Sequence, residues 1–330
     1  MAGALDGLRV IDCTHVIAGA WCSLLLADLG ADVIKVETVA GETTRGRPDS
    51  DFKPFDFVNR NKRAIAVDWA RPEGAQVVRR LVETADIFVE NFRPGAMAKS
   101  GLGYDDLKTV RPDLIYCSIS GFGQTGPYRD RGGFDLIAQA MSGIMSFTGE
   151  IGSATPVAAG VPLSDLNAGL FGALAVLAAL NHRNKTGEGQ HVETSLLESA
   201  MAYTVWETGL HLTTGAVPVR SGSRHRLAAP YEAFRTSDGF IVVGVNSQRL
   251  WDRFCTALND EGMRNDPRFA VRHARVDNRE ALQARIEAHL AGATTAHWLE
   301  VLLAHKVPCG PINTIAEALA DPHVATRGLL

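Results

Sequence analysis

Strand and helix alternate from the start of the chain, and this alternation limits the fold more than any other feature. "LRVIDC" (8–13) is a short run rich in β-branched residues, "GAWCSLLLADLG" (19–30) reads as a helix closed by Gly30, and "ADVIKVE" (31–37) is a second strand. A βαβ unit this short implies parallel strands, because the crossover helix returns the chain to the same end of the sheet. A polar, turn-rich loop fills 38–55. Further strands are predicted at "RAIAVDW" (63–69), "DIFVEN" (86–91) and "DLIYCSISGFG" (113–123). Helices are predicted at "PEGAQVVRRLVETA" (72–85), opened by Pro72, at "YDDLKTVRP", and as one piece over 135–149. An apolar helix follows Asp165, and "GQHVETSLLESAMAYTVWETGLH" is a strand leading into another helix.

The predicted fold class is therefore α/β: a doubly wound, Rossmann-like parallel sheet over 1–205. Small and turn-forming residues then mark a linker at 206–228. A hairpin, three amphipathic helices and "VPCGPINT" make a smaller α+β domain over 229–320, and 321–330 begins a further segment.

Net charge is −4, so no basic field points to nucleic acid. The first residues carry no basic segment followed by an apolar run, which argues against a signal peptide. The longest apolar helix is read as Leu166–Leu180, short of the ~20 residues that span a bilayer. Five cysteines form no C-x-x-C pair, which suits reduced thiols and a cytoplasmic protein without membrane association. The scattered His15, His182 and His191 have no zinc spacing, so no metal site is expected.

Several stretches bear on chemistry. "GFGQTG" (121–126) has dinucleotide spacing after a strand, but Pro127 follows where a helix should open. The first βαβ turn, "THVIAGAW", lacks the glycines, although Glu37 ends its second strand where a ribose-binding acid would stand. Arg45, Arg47, Arg60, Lys62 and Arg63 form a cationic cluster, joined by Arg93 and Lys99. They are either solvated surface charge or a site for several phosphates, as on a nucleotide or coenzyme A. Asp165 opens the apolar helix. It is either an N-cap or an ionised carboxylate held in the positive potential of the helix end and used as a nucleophile.

Taken in order, "LRVIDCTHVIAGAWCSLLLADLGADVIKVE", "NRNKRAIAVD", "ADIFVENFRPGAM", "LIYCSISGFGQTGPY", "GFDLIAQAMSG", "DLNAGLFGALAVLAALNHRNKTGEGQHVETSLLESA" and "VPCGPI" resemble the family III CoA-transferases (the CaiB/BaiF type), the group of formyl-CoA transferase and carnitine CoA-transferase. The resemblance covers the whole chain. It implies an acyl-CoA:carboxylate CoA-transferase with Asp165 as the covalent catalyst and a coenzyme A thioester as substrate, without a prosthetic group. It implies CoA contacts from the backbone of Val16, Ile17 and Ala18, from Asn91 and Phe92, and from Lys99 near the phosphates. Where some members stack an arginine on adenine this chain has Thr38, which leaves Arg45 or Arg47 to supply that contact.

Racemases of the family carry a histidine where "GGFD" places Phe134, so racemase activity is the lesser alternative. A CoA-binding member without turnover is the other. The family continues beyond "HVATRGLL", so an apparent truncation at Leu330 is expected, and its interlocked homodimer is expected here too. The glycine-rich lid of formyl-CoA transferase is replaced by "VRSGSRHRLAAPY". Arg224, His225 and Arg226 there are candidates to meet a dicarboxylic acceptor, with succinyl-CoA as donor.

Overall fold

Six strands form one parallel sheet: β1 (Arg9–Cys13), β2 (Asp32–Glu37), β3 (Lys62–Ala66), β4 (Ile87–Glu90), β5 (Ile115–Ser120) and β6 (His191–Ser195), in the order β3-β2-β1-β4-β5-β6. The order reverses between β1 and β4, whose last residues Cys13 and Glu90 lie side by side. Chain segments leaving those two strands diverge, and a crevice opens at their carboxyl ends. The computed structural model describes residues 3–46 and 51–329, so Arg47 lies outside the described residues.

The nine helices named here are α1 (Ala18–Asp28), α2 (Pro54–Asn59), α3 (Pro72–Val82), α4 (Tyr104–Lys108), α5 (Asp135–Met141), α6 (Ile144–Phe147), α7 (Leu163–Thr186), α8 (Leu196–Ala202) and α9 (Val205–Thr214). Alternate residues of each strand serve the two faces of the sheet. Val10, Val33, Ile87, Val89 and Ile119 pack with α1 and α7, while Ile11, Ile34, Phe88 and Tyr116 pack with α3. Gly169 brings α7 close to α1: a Cβ there would stand 2.5 Å from the Ala18 carbonyl oxygen.

Four sequence expectations are corrected. The apolar helix is longer than Leu166–Leu180, running 24 residues from Leu163 to a left-handed stop at Gly187. By length and composition alone it would reach across a bilayer, and half of its most apolar window is buried in the fold. The helix over 135–149 is two pieces, interrupted by Gly143 at φ 90°. The loop at 38–55 gives way to α2 at Pro54, which occupies the first helical turn. The helix read through His211 overlaps the linker bounds 206–228, and the structure resolves the overlap as two helices, α8 and α9, the second running on to Thr214.

The chain divides into two units, Met1–Thr148 with Ala154–Val219, and Gly149–Ser153 with Arg220–Leu330. The second unit has an antiparallel sheet in the order β7-β8-β9 (Tyr231–Arg235, Phe240–Gly244, Cys309–Pro311). Helices over Gln248–Ala257, Arg279–Leu290 and Thr295–Ala304 accompany it, around a core that includes Phe234, Ile241, Trp251, Phe254 and Ile286.

Candidate active site

Three side chains fix the segment that leaves β1. The Thr14 amide donates to Asp12 Oδ1 at 2.9 Å and the Val16 amide to Glu42 Oε1 at 2.6 Å. Between them, Asn91, the first residue after β4, closes a pair with the His15 backbone: His15 N donates to Asn91 Oδ1 and Asn91 Nδ2 to the His15 carbonyl, both at 2.8 Å. Val16 is thereby held at φ 62°, a region that β-branched residues rarely adopt. Ile17 then stands at the N-cap of α1 with no side-chain cap, so the first-turn N–H groups of that helix have no intrahelical acceptor.

A cleft of about 490 Å³ opens there, lined by His15, Val16, Ile17, Ala18, Asn91, Ser120, Gly121, Phe134, Asp165 and Leu196 among others. The Gly121 and Gly133 backbones meet in its wall. A Cβ on Gly121 would lie 2.6 Å from Gly133 Cα, which requires glycine at that contact. The positive end of α1 faces the cleft, a setting that favours negative charge.

Asp165 is the third residue of α7, three positions beyond the N-cap Pro162, and its carboxylate caps nothing. The cap comes from another helix. Asp135, at the first position of α5, accepts from Ser164 N at 2.9 Å and Ser164 Oγ at 2.5 Å through Oδ1, and from Gln139 Nε2 at 2.7 Å through Oδ2. Asp135 does not cap its own helix, whose N-cap position is Phe134. Among the described residues no donor is hydrogen-bonded to the Asp165 carboxylate. Burial, and then the negative charge of Asp135, push its pKa up to about 7. Both effects oppose the positive potential of the helix end, which favours the ionised form.

A second cleft of about 520 Å³ adjoins the first at His15 and is lined by Thr14, Glu37, Thr38, Gly41, Glu42, Thr43, Trp69 and Phe92 among others. His15 stacks on Phe92 with centroids 4.9 Å apart. Arg45 stands at its edge, bound to Glu37 through Nε at 2.7 Å and stacked 3.8 Å over Phe55. A third cleft, around Glu90, Ser118 and His191, is also lined by Arg93 and by Gln124 of the glycine loop, and holds none of the residues expected to contact CoA.

The structure therefore brings Val16, Ile17, Ala18, Asn91 and Asp165 into one cleft, with Phe92 in the adjoining one. Lys99 lies on an exposed turn, lines neither cleft, and has no ion-pair partner among the described residues. Among the described residues of the cationic cluster, three are engaged by carboxylates away from both clefts. Lys62 is buried, donating to Asp12, Ser23, Asn59 and the Ala20 carbonyl. Arg60 pairs with Asp28 and Arg63 with Asp32. Arg224 is engaged with Glu232, Glu280 and Gln283, and His225 stacks on Tyr231. Sequence reasoning weighed His15 only as a metal ligand, yet it lines both clefts; its place two residues after the first strand of a doubly wound sheet was the available signal.

A family model described as CoA-transferase family III matches residues 5–330. The chain is 41% identical to a succinate–glutarate CoA-transferase of Agrobacterium fabrum, over 98% of this chain and 84% of that protein. It is 40% identical to the succinyl-CoA:glutarate CoA-transferase of Mus musculus (99% and 76%) and 38% identical to an acetyl-CoA:oxalate CoA-transferase of Acetobacter aceti (99% and 85%). Its structure is similar to that of a CaiB/BaiF family protein from Brucella suis, with a TM-score of 0.89 at 40% identity over 99% of this chain and 89% of that one.

Proposed function

The chain belongs to CoA-transferase family III, and we propose that it moves CoA from succinyl-CoA to a second dicarboxylic acid through a covalent intermediate on Asp165. That acyl-CoA and a carboxylic acid are its substrate classes follows from the family. The acid pair rests on relatives named for succinate, glutarate and oxalate. It does not rest on Arg224, which is held by Glu232, Glu280 and Gln283.

The observation that carries the role of Asp165 is the division of labour at the start of α7. Asp135 supplies the cap, and Asp165 presents an unbonded carboxylate to the cleft. In its ionised form Asp165 attacks the thioester carbonyl carbon, the C–S bond breaks, and CoA leaves as thiolate from a mixed anhydride. The thiolate attacks the Asp165 carbonyl carbon, releasing the first acid as a carboxylate and leaving an aspartyl-CoA thioester. The acceptor carboxylate attacks that thioester, giving a second anhydride and thiolate. Thiolate attack on the acceptor acyl carbon restores Asp165 and yields the new acyl-CoA. No net proton is needed. The first-turn N–H groups of α1 are suited to stabilise developing oxyanions, and the apolar surroundings of Ile17, Phe134 and Leu196 limit hydrolysis of the anhydrides.

Acyl-CoA spans the two clefts in this reading, its thioester at Asp165 and its nucleotide beside Thr38 and Phe92. Phe134 lines the thioester cleft and has no group to carry a proton, which disfavours racemisation. The test is a chromatographic assay of CoA esters with succinyl-CoA and a panel of acids. Glutaryl-CoA or another dicarboxylic ester is expected; exchange with monocarboxylic acids alone contradicts the acid assignment.

Two further readings complete the proposal. The exposed Leu170 and Leu174 of α7, with Met201, Tyr203, Val205 and Leu212 on and between α8 and α9, are apolar surface of the kind a homodimer buries. Sedimentation at two concentrations tests it, and a monomer at both contradicts it. Five free thiols, four of them buried, are consistent with the reducing cytoplasm.

A further inference from the structure

Glu42 joins the two clefts, and neither the covalent steps nor the CoA contacts above use it. Its side chain is 6% exposed and its Oε2 lies 3.1 Å from Lys35 Nζ. Oε1 accepts from the Val16 amide and from Thr44 Oγ1, both at 2.6 Å. Glu42 also lines the Glu37–Thr43 cleft, whereas Val16 lines the cleft of Asp165.

The three acceptors that hold Thr14 to Val16 differ in origin. Asp12 belongs to β1 and Asn91 follows β4 directly, so both are anchored to the sheet. Glu42 belongs to the loop after β2, next to Gly41 at φ 78°. Val16 keeps its left-handed backbone only where its surroundings impose it. The acceptor for its own amide is the anchor that a ligand in the other cleft can press into place. Lys35 strengthens the link, because its ammonium also donates to the Thr14 carbonyl at 2.9 Å.

We propose that Glu42 is a positioning residue through which occupation of the Glu37–Thr43 cleft sets the geometry of Val16 beside Asp165, so that the nucleotide end of acyl-CoA accelerates reaction at its thioester end. The proposal rests on the reading that acyl-CoA spans both clefts. It makes contacts far from the reacting atoms act on the rate rather than on binding alone.

The test separates the two ends of the substrate. Succinyl-pantetheine, which lacks the nucleotide, is mixed with the enzyme and hydroxylamine, with or without adenosine 3′,5′-bisphosphate, and hydroxamate on Asp165 is followed by mass spectrometry. In the wild type the bisphosphate is expected to raise the maximal trapping rate by about 5- to 150-fold, the usual range of coupling between sites. Glu42→Ala is expected to abolish that activation, and Glu42→Gln, which keeps an oxygen for the Val16 amide, to retain it. Equal wild-type rates with and without the bisphosphate overturn the proposal, whether or not Glu42→Ala folds. Activation that survives in folded Glu42→Ala overturns it too. Failure of intact succinyl-CoA to give hydroxamate overturns the Asp165 reading and this proposal with it, whereas hydroxamate from succinyl-CoA without bisphosphate activation overturns this proposal alone.

Discussion

Asp12 and Asp165 are two aspartates of the same unit with opposite surroundings. Asp12 is fully buried near the carboxyl end of β1. It accepts from Thr14 N and Oγ1, from Ser23 Oγ and from Lys62 Nζ, with Lys35 Nζ 3.9 Å away. Burial alone would raise its pKa, but Lys62, Lys35 and the two hydroxyls outweigh it and hold the carboxyl well below the usual carboxylate range. Asp165 is half-buried, has no bonded donor and faces the like charge of Asp135, so nothing opposes its desolvation. Burial does not by itself distinguish a structural carboxylate from a reactive one; the partners do. A carboxylate saturated with donors is a poor nucleophile, and one left without them keeps its lone pairs for a substrate.

The largest expected effect of breaking this contrast is on stability. Asp12→Ala leaves Lys62 buried without its counter-charge and should cost about 3–5 kcal/mol, read by urea unfolding. Asp165→Asn should do the reverse. A carboxyl whose folded pKa is raised contributes stability below its unfolded pKa and loses it as pH rises through about 7. The variant should therefore melt higher than wild type at pH 8 and show little difference at pH 4. Its rate of CoA exchange should nonetheless fall about a thousandfold or more, as expected when a covalent catalyst is removed. A Tm below wild type at pH 8 would place Asp165 with Asp12, as a structural charge.

Next comes the pH dependence. Reaction of free enzyme with succinyl-CoA should rise between pH 6 and 8 with a midpoint near 7. Asp135→Asn keeps an oxygen for Ser164 and removes the like charge, so its midpoint should move down. An unmoved or raised midpoint would show that the two carboxyls do not interact. The smallest effect belongs to Lys99→Met. Exposed as it is, Lys99 should change KM for acyl-CoA by roughly 2- to 5-fold and leave kcat alone, the scale of a solvent-screened charge.

The doubly wound sheet was legible because short β-branched apolar runs alternate with longer helical stretches, and the crevice at β1 and β4 follows from the strand order. Local signals failed where a distant residue decides. Asp165 looks like a cap in sequence, but the cap is Asp135, 29 positions from Ser164, and only the folded chain brings them together. Lys62 reads as one cation among five until the fold places it under Asp12. The break at Gly143 and the helix at 54–59 were missed for the opposite reason. A continuous apolar pattern concealed a left-handed glycine, and a polar setting concealed a six-residue helix.

The central claim is that Asp165 forms a covalent intermediate, and the most direct test is chemical trapping. Wild type and Asp165→Asn, each shown to be folded, are incubated with succinyl-CoA and hydroxylamine, digested, and the peptide spanning residue 165 is weighed by mass spectrometry. The expected result is a hydroxamate on Asp165 in the wild type and an unmodified peptide in the variant. CoA exchange that proceeds while the Asp165 peptide stays unmodified, or a hydroxamate on another carboxylate, would contradict the account.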